Sequence, residues 1–166
     1  SVYEIHERQN FLIRPGVANV DAVVLVSAAK APLPDYFLTD KLLVTAESKG
    51  IKAYICLNKT DLATEAEIME FSKVYEKIGV PVITTSNIDE VGIDKLKEKI
   101  YGKITAFSGF SGVGKSTLLN NILGTISLQT GEVSKKIGRG RHTTRHVELH
   151  KLSEGLIADT PGFSAL

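Results

Sequence analysis

Gly109-Phe110-Ser111-Gly112-Val113-Gly114-Lys115-Ser116 matches the pattern G-x-x-x-x-G-K-[ST]. The pattern carries a mechanism when it joins a strand to a helix, and its flanks supply both. Ile104 to Ser108 is a short run of strand type, and Lys115 to about Leu123 reads as a helix. In that setting the glycines let backbone N–H groups curl around phosphate oxygens, and the helix N-terminus adds partial positive charge. Phe110, Ser111, Val113 and Thr117 complete the candidate phosphate-binding stretch. Lys115 can reach β- and γ-phosphates, and the Ser116 hydroxyl can ligate Mg²⁺.

Working outward, strands alternate with helices. Ala22 to Ser27 is an apolar, β-branched run of the kind buried on both faces of a parallel sheet. Pro34 to Lys49 follows as a helix stopped by Gly50, and Ala53 to Leu57 is a second buried strand. Thr64-Glu65-Ala66-Glu67 is a capping box that opens a helix to about Ile78, before Gly79. Pro81 to Thr85 is a third strand and Ile93 to Ile100 a short amphipathic helix. Beyond the phosphate loop, Leu128 to Arg145 has three glycines, many cations and little apolar periodicity, which reads as a long mobile loop. His146 to Leu152 and Leu156 to Ala158 flank Ser153-Glu154-Gly155 as a hairpin. The pattern predicts a three-layer α/β domain, its sheet mostly parallel with one antiparallel hairpin.

Composition narrows the classes. The 166 residues are 43% hydrophobic and 23% charged, which excludes a disordered tail, a collagen-like fibre and a disulfide miniprotein. Twenty Lys+Arg against 19 Asp+Glu give a net charge of +1, which argues against whole-surface nucleic-acid binding but leaves room for local basic patches. The single cysteine, Cys56, lies in an apolar run and reads as a buried structural thiol in a reducing, cytoplasmic compartment. No stretch approaches the roughly 18–20 apolar residues of a membrane-spanning helix. The N-terminus is too charged for a signal peptide; it begins with Ser and opens in mid-strand, as a piece of a longer chain would.

Two further motifs sit at strand ends. Asn58-Lys59-Thr60-Asp61 follows the second strand. Its Asp61 can accept from the N1–H and 2-amino group of guanine, Lys59 can cover a base face, and Asn58 can bond the base edge or tie the loop together. By itself the tetrapeptide is also a good turn; beside a phosphate loop it gains specificity. Asp159-Thr160-Pro161-Gly162 ends the last strand, where Asp159 can hold Mg²⁺ through water and the Gly162 N–H can sense a γ-phosphate. These are GTPase motifs in an unusual order, with N-K-x-D first and D-x-x-G last. The elements from Ala22 onward run in ordinary GTPase order if the chain is cut after D-x-x-G and rejoined through Ile93–Ile100. That is a circularly permuted P-loop NTPase (Ras-like GTPase) fold, since core pairing does not depend on where the chain is cut.

Together with Arg14-Pro15-Gly16-Val17-Ala18-Asn19-Val20-Asp21 and Gly138-Arg139-Gly140-Arg141-His142-Thr143-Thr144-Arg145, this order resembles the RsgA (YjeQ or EngC) family of circularly permuted GTPases over nearly the whole chain. The resemblance implies GTP hydrolysis to GDP and phosphate, with Mg²⁺, in late maturation of the small ribosomal subunit. It implies that residues 1–16 are the tail of an OB-fold and linker, and that 17–166 are the GTPase core. Zinc belongs to the family's C-terminal domain, with none expected in this chain. It makes Ser86-Asn87 the base-sensing loop, usually Ser-Ala, and His142 the residue that orients the attacking water, because Phe163 stands where Ras-like enzymes place Gln. Thr144, ahead of Thr143, becomes the switch ligand of Mg²⁺ and γ-phosphate alongside Ser116 and Asp159. Lys135, Lys136, Arg139, Arg141 and Arg145 become candidate contacts to ribosomal RNA. A monomer without membrane attachment is expected. His146, Glu148 and His150 share a strand face, but three side chains along one strand rarely converge on an ion. A GTP-gated ribosome- or RNA-binding module with negligible turnover is the competing reading. A small-molecule kinase using ATP is disfavoured by N-K-x-D.

Overall fold

The β-branched run after Asp21 becomes the centre of the molecule. β3 (Ala22–Ala28) is buried along its whole length and pairs in parallel with β4 (Lys52–Asn58) on one side and β6 (Ile104–Gly109) on the other. β5 (Val82–Thr84) extends the sheet beyond β4, and β8 (Leu156–Asp159) extends it beyond β6. β7 (Glu148–Lys151) closes the β8 edge as the antiparallel arm of a hairpin. The order is β5-β4-β3-β6-β8-β7. The computed structural model describes residue 4 and residues 7–13, 16–130 and 147–161, with side chains up to 124 in the last helix.

Alternation along each strand builds the three expected layers. Val24, Val26, Cys56 and Phe107 face one core, with Leu96 and Ile100 of α3 (Ile93–Ile100) and Leu118 and Ile122 of α4 (Lys115–Thr130). Val23, Leu25, Ile55 and Leu57 face the other, with Leu43 and Ala46 of α1 (Tyr36–Ser48) and Phe71 and Tyr75 of α2 (Glu65–Glu76). Asp35 caps α1 through the Leu38 N–H. The predicted capping box opens α2, and bonds from Thr64 and Lys30 hold the Glu67 carboxyl down at about 2. One boundary is corrected: α4 continues to Thr130, so Leu128 to Thr130 are helical and not part of the loop expected from Leu128. Gly124 does not stop it, because nothing there requires a left-handed residue.

A small antiparallel pair, β1 (Phe11–Leu12) and β2 (Val17–Ala18), precedes the sheet, and Leu12 packs into the second core. The chain builds β3, β4 and β5 outward in one direction, then crosses back through α3 to β6 beside β3. The sheet therefore has a switch point between β3 and β6, where ligands bind at the carboxyl ends of parallel strands. Among the described residues, no helix is long and apolar enough to cross a membrane.

Candidate functional site

Three of the four motif segments leave the carboxyl ends of strands on either side of β3: the phosphate loop after β6, Asn58-Lys59-Thr60-Asp61 at the end of β4, and Asp159-Thr160-Pro161 at the end of β8. Ser86-Asn87 follows β5. The topology thus brings together residues far apart in the chain.

The phosphate loop is pressed onto β3. A Cβ on Gly109 would stand 2.4 Å from the Val26 carbonyl oxygen, so only glycine lets the loop pass. Gly114 has a φ of +87° and would place a Cβ 2.5 Å from Asn58 Nδ2. Between them Val113 is buried and anchors the loop in the core beside Phe110, while Ser111, Ser116 and Thr117 are exposed on the rim.

Asn58 is fully buried and both ends of its amide are used. Nδ2 donates to the Val113 carbonyl at 2.9 Å, and Oδ1 accepts from Thr85 Oγ1 at 3.0 Å. Since the Thr85 proton goes to Asn58, the Cys56 thiol, 3.2 Å from Thr85 Oγ1, is the donor there. Burial pushes that thiol up to about 12, which keeps it protonated. A chain of buried hydrogen bonds therefore runs from the middle of the sheet to the phosphate loop. Asn58 ties the loops together through both ends of its amide.

The rest of that loop is held as firmly. Lys59 is left-handed, with φ +60°, and its ammonium donates to the Ala31 carbonyl. Thr60 donates through both its N–H and its hydroxyl to the Thr85 carbonyl. Asp61 is exposed, and its Oδ1 accepts from the buried Ser86 hydroxyl at 2.9 Å. Ser86 also lies 3.1 Å from Asp89 Oδ2. An exposed carboxylate fixed in direction can receive two parallel N–H donors, the geometry that guanine offers and adenine does not.

On the other side of the phosphate loop, the buried Lys115 ammonium donates to Asp159 Oδ1 and to the Thr160 carbonyl. Thr160 Oγ1 donates in turn to the Phe107 carbonyl. Lysine and aspartate are paired and nearly dry, so a phosphate entering here would compete for the lysine. Asp159 and the exposed Ser116 supply hard oxygen donors, the type Mg²⁺ takes in small number while keeping waters and phosphates. Among the described residues, no group of three or more His, Cys, Asp or Glu gathers as a metal site.

Gly162, His142, Thr144, Lys135, Lys136, Arg139, Arg141 and Arg145 lie outside the described residues. Thr85, Thr160 and the Ala31 carbonyl are the supports that motif reading passes over. Thr85 stands one position before the expected base-sensing loop, a neighbourhood that could have marked it.

A protein-family model described as RsgA GTPase matches residues 5–166. "Small ribosomal subunit biogenesis GTPase RsgA" of Alkaliphilus metalliredigens is 52% identical over 164 residues, covering 98% of this chain and 56% of that protein. Two crystal structures share the fold. YjeQ from Thermotoga maritima has a TM-score of 0.76 at 36% identity, covering 98% of this chain and 55% of its own. YloQ, described as a circularly permuted GTPase, has a TM-score of 0.71 at 40% identity, covering 98% and 52%. The chain spans about half the length of the relatives it matches. The fold is that of a circularly permuted GTPase.

Proposed function

The chain belongs to the RsgA GTPase family, and on that premise we propose that it binds GTP with Mg²⁺, hydrolyses it to GDP and phosphate, and acts in late maturation of the small ribosomal subunit in the cytoplasm. The observation that carries the reading is the convergence of the phosphate loop, the fixed Asp61 carboxylate and Asp159 at the carboxyl end of one parallel sheet, after β6, β4 and β8.

In this reading the Gly109–Thr117 amides and Lys115 hold the phosphates, and Asp61 selects guanine with Ser86 setting its direction. The Lys59 stem flanks the base. Ser116 and Asp159 would hold Mg²⁺, whose charge offsets that of the phosphates. Thr144 and Gly162 would close on the γ-phosphate, and His142 would orient water. Positioning and electrostatics supply the rate, since phosphoryl transfer asks little covalent chemistry of the protein. Lys135, Lys136, Arg139, Arg141 and Arg145 would meet ribosomal RNA through its phosphates, and the protein would act as a monomer.

Phe163 in place of a water-orienting Gln supports slow intrinsic turnover, so single-turnover hydrolysis of GTP with and without small ribosomal subunits is the test. Slow cleavage that rises at least tenfold with subunits is expected, and ATP should remain uncleaved. GTP that binds and stays intact under both conditions would favour a GTP-gated binding module.

A further inference from the structure

The base-sensing loop touches the phosphate loop through a side chain that the usual Ser-Ala pair does not have. Asn87 Nδ2 donates to the Gly114 carbonyl at 3.3 Å, and α4 reaches back, Asn121 Nδ2 donating to the Asn87 carbonyl at 3.3 Å. The Gly114 carbonyl also accepts the first helical bond of α4, from the Leu118 N–H at 2.9 Å. One residue earlier, Asn58 Nδ2 holds the Val113 carbonyl. Two consecutive carbonyls of the phosphate loop are thus gripped by two asparagine amides, and a Cβ on Gly114 would meet both, at 2.5 and 3.2 Å.

The peptide unit is planar and trans, so its N–H points opposite to its C=O. Gripping the Val113 and Gly114 carbonyls from the base side therefore turns the N–H groups of Gly114 and Lys115 away from it. Those are the amides a phosphate loop presents to its ligand. Meanwhile Asn87 Oδ1 is buried with no hydrogen-bond partner among the described residues, an arrangement that costs stability. An amide that is half unsatisfied is a poor structural element, yet its donor end lies on the loop that must be oriented.

We infer that Asn87 is a positioning residue for the phosphates of the nucleotide, acting through the Gly114 carbonyl, and not a reader of the base. The inference rests on the guanine-nucleotide reading above. It assigns the two halves of the base-sensing pair to different ends of the ligand: Ser86 to the base through Asp61, and Asn87 to the phosphates through the loop.

The test measures Kd for GDP and for IDP, which lacks the 2-amino group, on this chain and on Asn87→Ala and Asn87→Asp, with the melting temperature of each nucleotide-free protein. Loss of one hydrogen bond of ordinary strength weakens GDP about fivefold in Asn87→Ala. IDP should weaken by the same factor, leaving the GDP/IDP ratio unchanged, while the melting temperature holds or rises. Asn87→Asp keeps the shape without the donor and should bind GDP no better than Asn87→Ala. GDP affinity unchanged in Asn87→Ala, a changed GDP/IDP ratio, or rescue by Asp would each overturn the inference. If the unaltered chain binds no GDP, the guanine-nucleotide reading fails and takes this inference with it.

Discussion

The two ends of the central strands use the same chemistry to different purposes. At the amino end, side chains complete the sheet. Asn10 Nδ2 donates to the Val20 carbonyl at 2.9 Å while its Oδ1 accepts from the Val20 N–H at 3.0 Å. Asp21 bonds Ile104 twice, its N–H to the carbonyl and its carboxylate from the N–H, each at 2.8 Å. Gly155 packs where a Cβ would lie 2.4 Å from the Lys103 carbonyl oxygen. At the carboxyl end the asparagines and the lysine cross between loops, and the bonding is incomplete or displaceable. Asn87 Oδ1 has no partner among the described residues, and Lys115 is held by groups a phosphate would replace. The side chains at the amino end hold neighbouring strands together, and those at the carboxyl end hold the loops of the candidate site.

Substitutions can break this contrast. The largest effect is expected from Lys115→Ala, which removes the phosphate contact and strands a buried carboxylate. GDP affinity should fall at least 100-fold, and the nucleotide-free protein should lose about 3–5 kcal/mol of stability in urea unfolding, the cost of halving a buried pair. Unchanged stability would mean that the lysine–aspartate pair does not form in solution. Asn10→Ala, at the amino end, should cost about 1–2 kcal/mol and leave GDP affinity within twofold. If it weakened GDP as much as it weakened the fold, the division between the two ends would fail. Asn87→Ala is the finest probe of the contrast, since it should alter affinity and spare stability.

Much of the fold was legible because its signals are local. The Val-rich run at Ala22, the capping box at Thr64 and the hairpin around Glu154 each state their element within a few residues. Motif order, read against the ordinary GTPase order, gave the permutation that the sheet order β5-β4-β3-β6-β8-β7 displays. The end of α4 was not legible: the apolar pattern placed it near Leu123, and the helix runs to Thr130. At the site, residue types were readable and partners were not. The letters of N-K-x-D leave Asn58 free to bond the base or the loop, and only the parallel placing of β4 and β6 on either side of β3 brings it to Val113, 55 residues away. The Lys59 contact with the Ala31 carbonyl and the Lys115 contact with Asp159 also join distant residues, 28 and 44 positions apart. The Asn87 side chain carries no motif at all, because the family pattern expects a methyl group there.

In the proposed function the loop after β4 reads guanine beside a phosphate loop. The most direct measurement of that is displacement of fluorescent GDP by unlabelled GTP and ATP, on this chain and on Asp61→Asn. The account predicts displacement by GTP and not by ATP, with guanine affinity lost in the variant because an amide cannot accept both guanine N–H donors. Equal displacement by ATP, or a variant that binds GDP unchanged, would reduce Asn58–Asp61 to a turn and contradict the guanine assignment.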